Sequence, residues 1–264
     1  MEVIIQADAE AAASLAARLI ARDLRQKPCL VLGLATGRTM ECVYRHLAQM
    51  HRDQGLDFAQ CRTFNLDEYL GLAPEHECSY RHYMNRHLFS QVNIALRNTH
   101  LLDGMAADVR AACQEYEAMI RACGGIDLQL LGLGADGHIG FNEPLSALRS
   151  RTREKALTPS TIAQNAAMFG GDAGRVPRRA LTMGVGTILD AHRCLLLVTG
   201  RDKAEILAKA VEGPITSMVT ASALQLHPDC RVIVDEEAAA RLAGQEYYRW
   251  VFANEPEWQE FRNV

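Results

Sequence analysis

The sequence predicts an α/β fold, a mostly parallel sheet with helices packed on both faces. Three observations lead there. Short, largely apolar runs recur along the 264-residue chain, most of them followed closely by Gly, Asp or another turn-favouring residue. Longer amphipathic stretches fill the intervals between them. No internal repeat, low-complexity tract or linker interrupts the series, so 1–264 reads as a single domain. Strands that alternate with helices imply parallel pairing, and the crossovers then cover both faces of the sheet.

Taken in order, the apolar runs place strands at 3–6, 29–34, 62–66, 127–133, 194–199 and 231–234. The helical pattern covers 8–25, 39–52, 80–89, 108–122 and 203–211. Within the first helix, Ala12, Leu15, Ala16 and Leu19 recur at the spacing of one buried face. The stretch 142–179 contains Pro144, Pro159, Gly170, Gly171, Gly174 and Pro177 and reads as irregular. So long an irregular stretch inside a compact domain is expected to be a lid or a binding segment. Tyr247, Tyr248, Trp250, Phe252 and Trp258 are more aromatics than a solvated tail would hold, and are expected to pack on the body or on another subunit.

Composition narrows the function. The formal charge of −4 argues against nucleic acid and anionic membrane surfaces, which call for a basic face, so any anionic substrate must be held by local charge. No run approaches the roughly 18 apolar residues of a membrane-spanning helix. The N-terminus has no basic leader or cleavage pattern, so no signal peptide is read. Eight scattered cysteines without a C-x-x-C pair read as reduced thiols of a cytoplasmic protein, with no metal or disulfide role.

In open parallel sheets, ligands bind beyond the carboxyl ends of the strands. Three such ends carry chemistry here. The first, Gly33-Leu34-Ala35-Thr36-Gly37-Arg38-Thr39, runs into a helix. Its small residues would let backbone N–H groups reach an anion, or it is simply a tight turn capped by Thr39. It lacks the Lys-Ser/Thr ending of a Walker loop. The second end places Asn65, Asp67 and Glu68 after a strand. Either acid is a candidate general base, and either could instead cap a following turn. The third end holds Asp136, His138 and Glu143 on a glycine-rich turn. Gly132, Gly134 and Gly137 spell G-x-G-x-x-G, but the chain goes on to His-Ile-Gly-Phe-Asn-Glu-Pro rather than into a helix, which rejects a dinucleotide fingerprint. A histidine between two acids is a candidate tuned base. A metal site is the rival, although the spacing fits no closed zinc pattern. Beyond these ends, Arg149, Arg151, Arg153 and Lys155 alternate and would line one face of an extended segment, as an anion site or a solvated edge. Lys203 lies close enough to a strand end to reach the same rim, or it is an ordinary surface lysine.

Several separated motifs together closely resemble the glucosamine-6-phosphate deaminase family. They are TFNLDEYLGL at 63–72, LGADGHIGFNEP at 133–144, SRTR at 150–153, ALTMGVGTI at 180–188, the segment 200–204 and SALQLHP at 222–228, and the likeness runs nearly end to end. The resemblance implies a Rossmann-like fold and conversion of D-glucosamine 6-phosphate and water to D-fructose 6-phosphate and ammonia. It implies Asp67 as the proton acceptor of enolisation and His138 as the ring-opening base, supported by Asp136 and Glu143. Phosphate binding would fall to Gly33, Thr36, Gly37, Arg38, Thr39 and Lys203. Proton transfers suffice for this reaction, so no cofactor and no metal is expected. Some members are hexamers activated by N-acetylglucosamine 6-phosphate, and the positions matching that second site are Met1, Ser146, Arg153, Lys155 and Tyr248. A homo-oligomer, preferably a hexamer, is expected accordingly.

Two departures stand out. Arg38 replaces a small residue, and Ala167 stands where many members carry arginine. Arg38 then either supplies the missing charge, or the change marks another amino-sugar phosphate such as galactosamine 6-phosphate. A 6-phosphogluconolactonase would share the fold and the phosphate site but needs no C2 base, so Asp67 argues against it. A non-catalytic sugar-phosphate sensor usually follows a DNA-binding segment, which is not read before Cys29.

Overall fold

The structure, a computed structural model, describes residues 1–262. The chain begins with strand β1 (Glu2–Gln6), helix α1 (Ala9–Gln26), β2 (Val31–Leu34), α2 (Arg38–Gln54), β3 (Arg62–Asn65), a short β4 (Asp67–Tyr69) and α3 (Tyr80–His87). Next come β5 (Thr99–His100), α4 (Val109–Ala122), β6 (Leu128–Leu131), β7 (Arg153–Ala156), α5 (Pro159–Asn165), β8 (Arg179–Thr182) and α6 (Val185–Leu189). The last third supplies β9 (Cys194–Val198), α7 (Ala204–Val211), β10 (Cys230–Asp235), α8 (Glu236–Ala239), α9 (Gln245–Asn254) and α10 (Gln259–Arg262). Caps fix several helix starts: the side chains of Asp8, Ser79 and Asp108 accept from the backbone N–H three residues on.

Seven strands form the main sheet in the order β1-β10-β9-β6-β2-β3-β5, and their pairings are parallel. Every residue of β2, β6, β9 and β10 is buried, as a sheet covered on both faces requires. From β2 the chain builds outward through β3 and β5, then returns to β2's other side for β6, β9 and β10. The switch point therefore lies between β2 and β6, and a ligand crevice is expected at their carboxyl ends. A second, antiparallel sheet, β4-β8-β7, stands over that edge.

Each strand and helix expected from the apolar pattern is present, with ends within two residues of those expected. The reading of 142–179 as irregular is corrected. It contains β7, α5, a 3₁₀ turn at Ala166–Phe169 and the start of β8. Leu157, Ile162, Ala166, Phe169 and Val176 form a separate apolar cluster there with Tyr69, Tyr80 and Phe141. Strands such as Arg-Glu-Lys-Ala (β7) and Asp-Glu-Tyr (β4) are held by ladder bonds and neighbours rather than by an apolar run, so the pattern passed over them. The alternating basic row is also corrected. Only Arg153 and Lys155 lie on β7, Arg151 pairs with Asp190, and Arg153 donates to Asn142 Oδ1 at 2.9 Å. The C-terminal aromatics divide: Trp258 is buried against the body, whereas Tyr247 and Trp250 are 65% and 58% exposed.

Candidate active site

A cavity of about 460 Å³ opens at the switch point. Its walls come from the turn after β2 (Ala35 to Met40), the junction of β3 and β4 (Leu66, Asp67), the turn after β6 (Gly132 to His138) and the turn after β9 (Thr199 to Lys203). The structure thus gathers the three strand ends singled out in the sequence, together with Lys203, around one space.

The two neighbouring acids after β3 take different parts. Glu68 turns into the protein, where its carboxylate accepts from the backbone N–H groups of Tyr69, Tyr80 and Arg81 at 2.8–3.0 Å and so anchors the start of α3. Asp67 lines the cavity and is itself almost wholly buried. Burial, helped by the charge of Glu68, pushes the Asp67 carboxyl up to about 8. That value suits a base working near neutrality.

On the turn after β6, His138 Nδ1 lies 2.6 Å from Asp136 Oδ1 and 3.7 Å from Glu143 Oε2. Burial alone would raise the Asp136 carboxyl, but hydrogen bonds from the His138 ring and backbone hold it below the usual carboxylate range. An ionised carboxylate only accepts, so the contact selects the tautomer with its proton on Nδ1. Glu143 is fixed in turn by the backbone N–H of Thr158 at 3.0 Å and the Thr158 hydroxyl at 3.3 Å. The glycines make this arrangement possible. A Cβ on Gly134 would overlap the His138 ring, and Gly137 turns the chain at φ +87°. Asp136, His138 and Glu143 are also potential metal ligands, with donor atoms within 4.8 Å of one another. Here, however, the nitrogen facing both carboxylates is already within hydrogen-bond distance of one of them.

The turn after β2, expected to receive an anion, lines the same cavity. Gly37 adopts φ +108° before α2, and Thr36, Gly37, Arg38 and Thr39 line the cavity at that helix's N-terminus. The Tyr83 hydroxyl holds the Gly37 carbonyl at 2.8 Å. Lys203 faces them from the turn after β9, and its burial lowers its ammonium below the usual range against the pull of Asp202 and Asp136. Gly33 does not belong to this wall. It lies within β2, where the absence of a side chain makes room for the Gln129 carboxamide.

The sequence reading missed Tyr80, Phe141, Gln164, Asn165 and Met168, which complete the lining. Asn165 donates to the Tyr69 hydroxyl at 2.8 Å, tying α5 to the cavity's aromatic side. Of the second-site candidates, Arg153 reaches Asn142, the neighbour of Glu143, and the backbone N–H of Ser146 donates to the Glu143 carbonyl at 3.0 Å. Lys155 lies two residues along β7, and Met1 just ahead of β1. The Tyr248 hydroxyl is directed to Glu212 at 2.8 Å.

The family described as glucosamine-6-phosphate isomerases/6-phosphogluconolactonase matches residues 5–232. A glucosamine-6-phosphate deaminase of Streptomyces coelicolor is 49% identical over 259 residues, 98% of this chain and 99% of that one. Another, of Hahella chejuensis, is 51% identical over 251 residues, 95% of each. Among solved structures, a monomeric glucosamine-6-phosphate deaminase superposes with a TM-score of 0.89 at 42% identity, covering 91% of this chain and 100% of that one. The 6-phosphogluconolactonase from Trypanosoma cruzi superposes with a TM-score of 0.73 at 20% identity, covering 92% and 97%, a likeness of fold alone.

Proposed function

Because the chain belongs to the glucosamine-6-phosphate deaminase family, we propose that it converts D-glucosamine 6-phosphate and water to D-fructose 6-phosphate and ammonia. The observation that carries this reading is a buried carboxyl, Asp67, lining the same cavity as His138 of the His138–Asp136 pair and as Thr36, Gly37, Arg38, Thr39 and Lys203. The phosphate sits among Thr36, Gly37, Arg38, Thr39 and Lys203. His138 takes the anomeric hydroxyl proton and returns one to the ring oxygen, opening the sugar. Asp67 then takes the C2 proton and delivers it to C1 through an enolamine. Water adds at C2, and ammonia leaves. Every step is a proton transfer, an addition or an elimination driven by one, which these side chains can serve. The test is stoichiometric formation of ammonia and fructose 6-phosphate by the purified protein. Turnover of galactosamine 6-phosphate alone would assign the other epimer, and no turnover by the folded protein would favour a sensor.

Arg38 is the proposed substitute for an arginine missing at Ala167. It is exposed at the first position of α2 and borders the cavity, whereas Ala167 is not among the lining residues. A charge-assisted hydrogen bond is worth about 1.5–3 kcal/mol. Arg38→Ala is therefore expected to raise KM for the phosphorylated sugar about 10- to 150-fold while kcat changes little. An unchanged KM in initial-rate assays would remove Arg38 from the phosphate site.

Regulation is the second part of the proposal. Arg153 and Lys155 supply two cations for a phosphate, with Ser146, Met1 and Tyr248 as further contacts in a homo-oligomer, preferably a hexamer. The bond from Arg153 to Asn142 gives such a site a short path to Glu143. Sigmoidal velocity curves that become hyperbolic with N-acetylglucosamine 6-phosphate are the expected result, and hyperbolic curves indifferent to it would discard the second site. Among the described residues no helix is long and apolar enough to cross a membrane, and the scattered thiols support a cytoplasmic location.

A further inference from the structure

A second mixed set of donor groups lies where α1 meets α2, away from the catalytic cavity. Glu10 stands in the first turn of α1, and Cys42 and His46 stand one turn apart on α2, on one helix face. Cys42 Sγ is 3.0 Å from Glu10 Oε2, and His46 Nε2 is 2.9 Å from Glu10 Oε1. The three donor atoms all lie within 4.8 Å of one another. His46 Nε2 is closed off from solvent, yet its approach to the carboxylate lacks the alignment of a hydrogen bond and it finds no other partner among the described residues. A buried nitrogen without a partner is costly, and a third centre shared with Glu10 would supply one.

We propose that Glu10, Cys42 and His46 form a binding site for a divalent transition metal of the zinc class, which joins the first turn of α1 to α2. One thiolate, one imidazole and one carboxylate are zinc's own donor types and suit neither magnesium nor calcium. Bond lengths of about 2.0–2.3 Å put tetrahedral ligands roughly 3.3–3.7 Å apart, so the three donors need to shift by about 1 Å. Water completes the four ligands. As the metal–sulfur bond forms, the thiol proton passes to solvent, and nothing is oxidised or reduced. Arg45 marks the same focus: its Nη2 lies 2.6 Å from Glu10 Oε2 and 3.0 Å from Cys42 Sγ. It is the ion's internal competitor. Its side chain is 61% exposed and free to swing outward, and an exposed ion pair of this kind is weak. The site gives one of the eight cysteines the metal role that their spacing in the sequence did not suggest.

The test is titration of the full chain with Co²⁺, followed by absorption, and equilibrium dialysis against Zn²⁺. One ion is expected to bind at micromolar metal, with a thiolate-to-cobalt charge-transfer band and tetrahedral d–d bands. Asp136, His138 and Glu143 include no thiol, so the band separates this site from the catalytic cavity. Cys42→Ser should abolish the band and weaken Zn²⁺ binding by about 100-fold or more, with circular dichroism as the check on folding. Glu10→Gln provides a second, surface variant expected to weaken binding, and Arg45→Ala should tighten it several-fold. No binding at micromolar metal, a band that survives Cys42→Ser, or affinities unmoved by Glu10→Gln and Arg45→Ala would each overturn the proposal.

Discussion

Replacing Asp67 by Asn is expected to lower kcat by about 10²–10⁴ while KM stays within a few-fold. The amide keeps the shape of the side chain but cannot accept the C2 proton. Because burial pushes the Asp67 carboxyl up to about 8, much of the free enzyme holds it protonated at neutrality. A base must be ionised, so kcat/KM should rise with pH through about 8 in the wild type, and the residual rate of the variant should lose that limb. Stability carries the opposite sign. A carboxyl whose folded-state value lies above the unfolded value of about 3.9 contributes stability that is fully present below that pH and is lost as pH rises through about 8. Asp67→Asn removes the cost of ionising a buried group, so it should melt above the wild type in alkaline buffer. A variant both inactive and less stable there would point to a structural role for Asp67. Ammonia release and thermal melts across this pH range decide between the two.

The strand ends that hold this chemistry were legible because polar and small residues break directly out of apolar runs. Asp136, His138 and Lys203 follow strands whose burial on both faces leaves a nearly continuous apolar pattern, whereas Asp67 follows the mixed Arg-Thr-Phe-Asn strand β3. Three things were hidden. Which of two adjacent acids faces the cavity depends on where the N–H groups of Tyr80 and Arg81 end up, and these lie more than ten residues further along. Gly33 looks like part of an anion loop until Gln129 of the neighbouring strand occupies the space above it. Tyr80, Phe141 and Asn165 reach the site through the aromatic cluster under α5, a tertiary contact that carries no sequence period. The same holds for β7 and β4, whose charged sequences become strands by pairing with β8 from either side.

Replacing His138 by Gln should cost kcat about 10²–10⁴ as well, but with a different kinetic signature, because the two residues act on different forms of the sugar. Asp136 Oδ1 lies 2.6 Å from Nδ1, and the proposed mechanism makes Nε2 the base that opens the ring. With glutamine there, Asp67 is still in place and still processes any substrate that has already opened in solution. The variant's velocity should therefore stop rising with enzyme concentration once spontaneous ring opening becomes limiting. The velocity of Asp67→Asn, blocked after opening, should stay proportional to enzyme throughout. Asp136→Asn tests the same link one bond away. An amide in place of the carboxylate frees the imidazole to adopt the wrong tautomer, so the variant should show the His138→Gln plateau with an intact imidazole in the cavity. If velocity remained proportional to enzyme in all three variants, ring opening would not be the step that His138 serves.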